Sequence, residues 1–153
     1  MVLVDLREGA EAVELSDAPF PNEVEFILSA LEAGPRPPLE RHRLVRSVYW
    51  TRALLRLFSD PANGRPHLLY TRDVSTGALG FLASRPVTLS HGGVVNIRSP
   101  FGKVMDVSCT VLRCREVVPG WFEGSVYFNR PQNLFAPENI RAGASEAAVA
   151  VLI

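Results

Sequence analysis

"VYWTRALLRLFSDPANGRPHLLYTRDVSTGALGFLAS", residues 48 to 84, reads as three strands in succession. "VYWTRALLRLF" is rich in β-branched, aromatic and aliphatic residues, as strands are. "DPANGRP" is turn chemistry, Asp-Pro followed by Asn-Gly. "HLLYTRDVS" is the returning strand, so the two runs form a hairpin. Asp73, Ser75 and Gly77 then crowd into five positions before a third apolar run, "ALGFLAS". An Asp-x-Ser-x-Gly stretch is a turn, or it sets a carboxylate and a hydroxyl against a ligand.

The same texture continues outward. "SHGG" turns into "VVNIRS", "PFGK" into "VMDVSCTVLRCREV", and "VPGW" into "FEGSVYFN". Six strands with turns every dozen or so residues, and nothing helical between them, predict an antiparallel barrel or sandwich rather than βαβ units. Upstream, "PNEVEFILSALEAGP" predicts a helix over 22–33. Asn22 is its N-cap and Glu25 completes a capping box. Val24, Ile27, Leu28 and Leu31 form one apolar stripe, and Gly34-Pro35 stops the helix. Gly34 to Pro38 is a linker that delivers Arg41, Arg43 and Arg46 to the first strand. The tail contains an Ala-rich stretch, a short helix or frayed chain, with Ser145 as a candidate cap. The organisation expected is an acidic extension over 1–40, a barrel over 41–131 and a tail over 132–153.

The chain has 153 residues, 47% hydrophobic and 21% charged, which fits one globular domain with a core. Its longest apolar run, Ala147 to Ile153, is too short to span a membrane. No secretory signal is evident, so a cytoplasmic location is expected. Cys109 and Cys114 are five apart, which points them to opposite faces of a regular strand as core or half-buried thiols. They form neither a disulfide nor a metal site in this reading.

Charge is zero overall and uneven along the chain. Residues 1–40 carry nine acids and two bases, whereas 41–115 carry twelve bases and three acids. All bases but Lys103 are Arg, whose planar fork suits phosphate and stacks on flat rings. Either the acidic head neutralises the basic body or the body holds an anion. His42, His67 and His91 lack metal-type spacing, and there is no P-loop, GxGxxG, HExxH or G-x-S-x-G. No enzyme is read here. Single-stranded nucleic acid is disfavoured as a partner, because aromatics are not interleaved with the arginines. Arg52 and Arg56, four apart, share one outward strand face, and Trp50 and Trp121 are read as packing residues.

An Arg cluster, a strand hairpin, Asp-x-Ser with glycines, and further short strands follow a specific order. In this order the sequence resembles the PilZ domain family over about residues 41 to 130. "RHRLVR" sits where that family carries Arg-x-x-x-Arg, and "DVSTGALGF" where it carries Asp/Asn-x-Ser-x-x-Gly. Counting back from Arg46, the partner position is His42, flanked by Arg41 and Arg43. The family's glycine position is Ala78, with Gly77 one place early. The literal Arg-x-x-x-Arg, Arg52 and Arg56, falls inside the first strand. The resemblance implies a six-stranded antiparallel barrel and a non-enzymatic bacterial receptor for cyclic di-GMP, with no other cofactor. Arg43 and Arg46 would hold phosphate and guanine, with Arg41 or His42 assisting. Asp73 and Ser75 would hold the other guanine edge, and Gly77 would let the backbone approach with φ > 0. The alternative it leaves open is a PilZ domain without nucleotide, acting as an adaptor on an unidentified protein partner through the helix and a barrel face.

Overall fold

The computed structural model describes residues 15–33 and 45–152, and side chains as far as residue 144. The Gly34–Pro38 linker and Arg41, His42 and Arg43 lie outside the described residues. Within them the elements run α1 (Asn22–Ala33), β1 (Ser47–Val48), β2 (Arg52–Leu57), β3 (His67–Val74) and β4 (Ala78–Ala83). Then follow β5 (Gly92–Arg98), β6 (Val104–Val118), β7 (Trp121–Phe128), a 3-10 turn (Asn133–Phe135) and α2 (Pro137–Leu152). The expected helix and the β2–β3 hairpin both form, the hairpin pairing Arg52 with Tyr70 and Leu55 with His67. Asn22 is the first helical residue and not the N-cap: Glu25 N donates to the Pro21 carbonyl at 3.1 Å, so Pro21 holds the capping position.

Every strand pairing is antiparallel. β3 pairs with β2, β2 with β5, β5 with β6, β6 with β7, β7 with β4, and β4 returns to β3. The ring is therefore a closed six-stranded barrel, which removes exposed sheet edges. Its interior is filled by alternate residues such as Leu55, Leu69, Phe81, Val95, Val107 and Val126. Phe135 covers one end against Tyr49 and Phe128, with Ile140 of α2 packed beside it. The helix at this end starts at Pro137, a residue with φ already suited to a first helical position. Ser145 thus lies inside the helix and is not its cap.

The single strand expected over 48–58 is broken in two. The hydroxyl of buried Thr71 donates to the Tyr49 carbonyl and accepts from Thr51 N at 2.7 Å. A side chain therefore takes the place of ladder bonds, and the chain bends between β1 and β2. Opposite this bend β3 is bulged, its register shifting between Thr71 and Asp73. A bulge leaves one residue unpaired and lets two successive side chains share a face. Leu79 and Phe81 fill the core, so Gly80 between them faces outward. Asp73 pairs with Gly80 and shares that outer face, while Val74 is core.

A second bulge lies in β6 between Val111 and Arg113. It corrects the expectation for the cysteines. The extra residue, exposed Leu112, restores the inward phase, and Cys114 packs against the same core as buried Cys109. Both thiols are free, and burial pushes that of Cys109 up to about 11.

Helix α1 packs on the outside of the barrel. Val24, Ile27 and Leu28 bury against Leu82, with Tyr70, Val117 and Trp121 around them. Trp121 Nε1 donates to Glu23 at 3.0 Å, and Arg72 donates to the Leu31 carbonyl at 2.8 Å. The latter satisfies one of the last helical carbonyls with a cation. No helix among the described residues is long and apolar enough to cross a membrane.

Candidate functional site

β1 places Arg46. Ser47 pairs with Val74 and Val48 with Asp73, so the residue before β1 reaches the Asp73 side chain. Arg46 Nη1 lies 3.3 Å from Asp73 Oδ1, and the two side chains are 12% and 2% exposed. The two stretches singled out in the sequence, twenty-seven positions apart, thus meet through a half-hidden ion pair. A buried carboxylate is expensive without such a partner.

Ser75 is also buried, and its role is local. Its Oγ accepts from Gly77 N and Ala78 N, both at 3.1 Å, and its own N–H donates to the Ala78 carbonyl at 2.9 Å. This is a hydroxyl-capped turn between β3 and β4. Gly77 corrects an expectation: only Gly102 and Gly120 among the described glycines have positive φ. Gly77 instead ties the turn to the barrel, its carbonyl accepting from Phe128 N at 2.8 Å.

The glycine that matters for the carboxylate is Gly80. A Cβ there would come within 3.0 Å of Asp73 Oδ1 and 3.8 Å of Arg46 Nη1. Gly80 therefore makes room for the pair. Sequence spacing missed it; the register of the hairpin, which sets Gly80 opposite Asp73, is the signal that finds it.

Next to Gly80, on β7, stands Ser125, and beyond Ser125, on β6, stands Arg113. Ser125 is 0% exposed, and its Oγ has no hydrogen-bond partner among the described residues. Two residues along the same face, Glu123 is 1% exposed and surrounded by arginines. Arg113 pairs with its Oε1, Arg115 Nε lies 3.2 Å from its Oε2, and Arg72 Nη1 lies 3.8 Å away. Arg72 also reaches Glu32 at 3.6 Å and so joins the barrel to α1. Nothing in "FEGS" announced a buried acid, because strand alternation places Glu123 on the outer face, where arginines from β3 and β6 meet it.

The remaining candidates make contacts elsewhere on the barrel. Arg52 donates to the carbonyls of Ser16, Ala18 and Pro19 and lies over the Phe20 and Tyr70 rings. With Trp50 and Phe20 it borders a surface pocket of about 220 Å³. Trp50 stacks on Phe20, and His91 bonds Ser59 at 2.6 Å. His67 lies 3.4 Å from Asp60. Burial and the nearby Arg85 lower its pKa below the ordinary value, against the pull of Asp60. The acidic head does meet the basic body, through Glu32–Arg72 and Asp17–Arg98.

Fold and site together define a closed antiparallel barrel with an arginine–carboxylate site on its outer wall. Comparison with known proteins finds no match: no family model, no curated protein and no solved structure is similar to the chain.

Proposed function

We propose that the protein is a non-enzymatic receptor for cyclic di-GMP, a dianion with two guanines. The observation that carries this reading is the meeting of Arg46 and Asp73 on the barrel wall. The two side chains offer what one end of the ligand needs. A guanidinium forks onto phosphate or onto guanine N7 and O6. A carboxylate accepts from guanine N1 and N2. In the free protein the two neutralise each other, and the ligand would exchange their partners. The likeness of "RHRLVR" and "DVSTGALGF" to the PilZ family supports the same ligand. Arg41, His42 and Arg43 stand in the reading as further contacts from the linker. The test is selectivity and salt response. A receptor of this kind binds cyclic di-GMP over GMP and single-stranded RNA, and keeps its affinity at moderate salt. Binding that falls steeply with salt and ignores base identity would replace the receptor by a nucleic-acid binder.

One observation favours a second reading, an adaptor of the same barrel type without nucleotide. The Ser75 hydroxyl already serves two backbone N–H groups of its own turn. A protein of this kind would show no cyclic di-GMP binding and would act on a protein partner through α1 and a barrel face.

A further inference from the structure

Gly80 and Ser125 pair across β4 and β7 and form a floor of minimal side chains on the outer wall. Asp73 stands on one side of it, with Arg46 reaching over Gly80. Arg113 stands on the other side, paired with Ser125 on β6. Asp73 and Arg113 are three strand spacings apart, about 14 Å, a gap that two long arginine side chains can close around one phosphate group. The floor lies between two guanidinium-bearing residues. At its centre is the Ser125 hydroxyl, fully buried and without a hydrogen-bond partner among the described residues. A buried hydroxyl that bonds nothing weakens the fold relative to alanine, which would fit the same space. Its presence calls for a partner that the described residues do not supply.

We infer that Ser125 is a ligand-binding residue: its hydroxyl donates to a phosphate oxygen of the nucleotide, seated on Gly80 between Arg46 and Arg113. This rests on the cyclic di-GMP reading and deepens it by placing one phosphate. Arg46 roofs the floor in the free protein. On binding, its guanidinium turns from Asp73 to the phosphate, the floor opens, and Asp73 is released to the guanine N1 and N2 donors. Both Arg46 and Asp73 keep a charge-assisted partner throughout.

The experiment is a calorimetric titration of cyclic di-GMP into wild type, Ser125→Ala, Ser125→Cys and Arg46→Ala, with urea unfolding of each protein. The expected result is wild-type binding and at least about tenfold weaker binding by both Ser125 variants, since a bond to an anionic oxygen is lost. Ser125→Ala should also be as stable as wild type or more so without ligand. Unchanged affinity of the Ser125 variants, with binding lost in Arg46→Ala, overturns the placement of the phosphate and leaves the receptor standing. A destabilised Ser125→Ala gives the hydroxyl a structural role and also overturns the placement. Absence of wild-type binding overturns the receptor, and the inference with it.

Discussion

Gly80 lies directly across the β3–β4 hairpin from Asp73, and any side chain on it would collide with the Asp73 carboxylate. The ion pair with Arg46 thus depends on a missing methyl group. Gly80→Ala should displace the carboxylate, break the pair and cost about 1–3 kcal/mol, the usual range for overpacking. Urea unfolding reads the loss. A variant as stable as wild type would show that Asp73 has another position open to it.

Thr71 holds the bend that brings Arg46 to Asp73. Thr71→Val keeps the shape but leaves Thr51 N and the Tyr49 carbonyl without the hydroxyl. Two half-buried backbone groups lose a partner, at about 1–3 kcal/mol. The same variant should weaken ligand binding, because β1 would no longer be fixed against β3. A variant that binds like wild type while losing stability would separate the bend from the site.

Glu123 is nearly inaccessible and faces Arg72, Arg113 and Arg115. Glu123→Ala should destabilise the protein by about 3 kcal/mol, since it leaves partly buried cations without their acid. It should also loosen α1, because Arg72 bridges Glu123 to Glu32 and the Leu31 carbonyl. Hydrogen exchange at α1 amides, compared with those of β5, checks the second effect.

The structure lowers the pKa of His67 below the ordinary 6.5, by burial first and Arg85 second. The folded protein then holds that proton less tightly than the unfolded chain. The stability due to the neutral ring is complete above pH 6.5 and is lost as pH falls from there toward the folded-state pKa. Urea midpoints between pH 7.5 and 5.5 should fall more for wild type than for His67→Asn. Equal falls would remove His67 from the pH response.

Much of this was legible in the sequence, for identifiable reasons. The apolar stripe of Val24, Ile27 and Leu28 marks α1, and Asn63-Gly64 marks the first hairpin. These are local signals, each with its own chemistry. What failed to show were departures from strict alternation. The bulge at Leu112 turned Cys114 inward, and the bulge beside Arg72 put Asp73 on the outer face. Bulges are set by pairing partners, so a single strand read alone does not reveal them. Gly80, Glu123 and Ser125 were missed for the same reason: their neighbours are distant in sequence and adjacent only in register. The resemblance set Arg46 and Asp73 near one ligand, but their direct ion pair was not anticipated.

The most direct measurement is calorimetric titration of cyclic di-GMP into wild type, Arg46→Ala and Asp73→Ala, the last removing the carboxylate without an amide to replace it. Wild type should bind at about micromolar Kd or tighter, with binding lost in both variants while circular dichroism shows each still folded. Absence of heat with folded wild-type protein at high ligand concentration would contradict it. The Arg46–Asp73 pair would then be a clasp for the barrel alone.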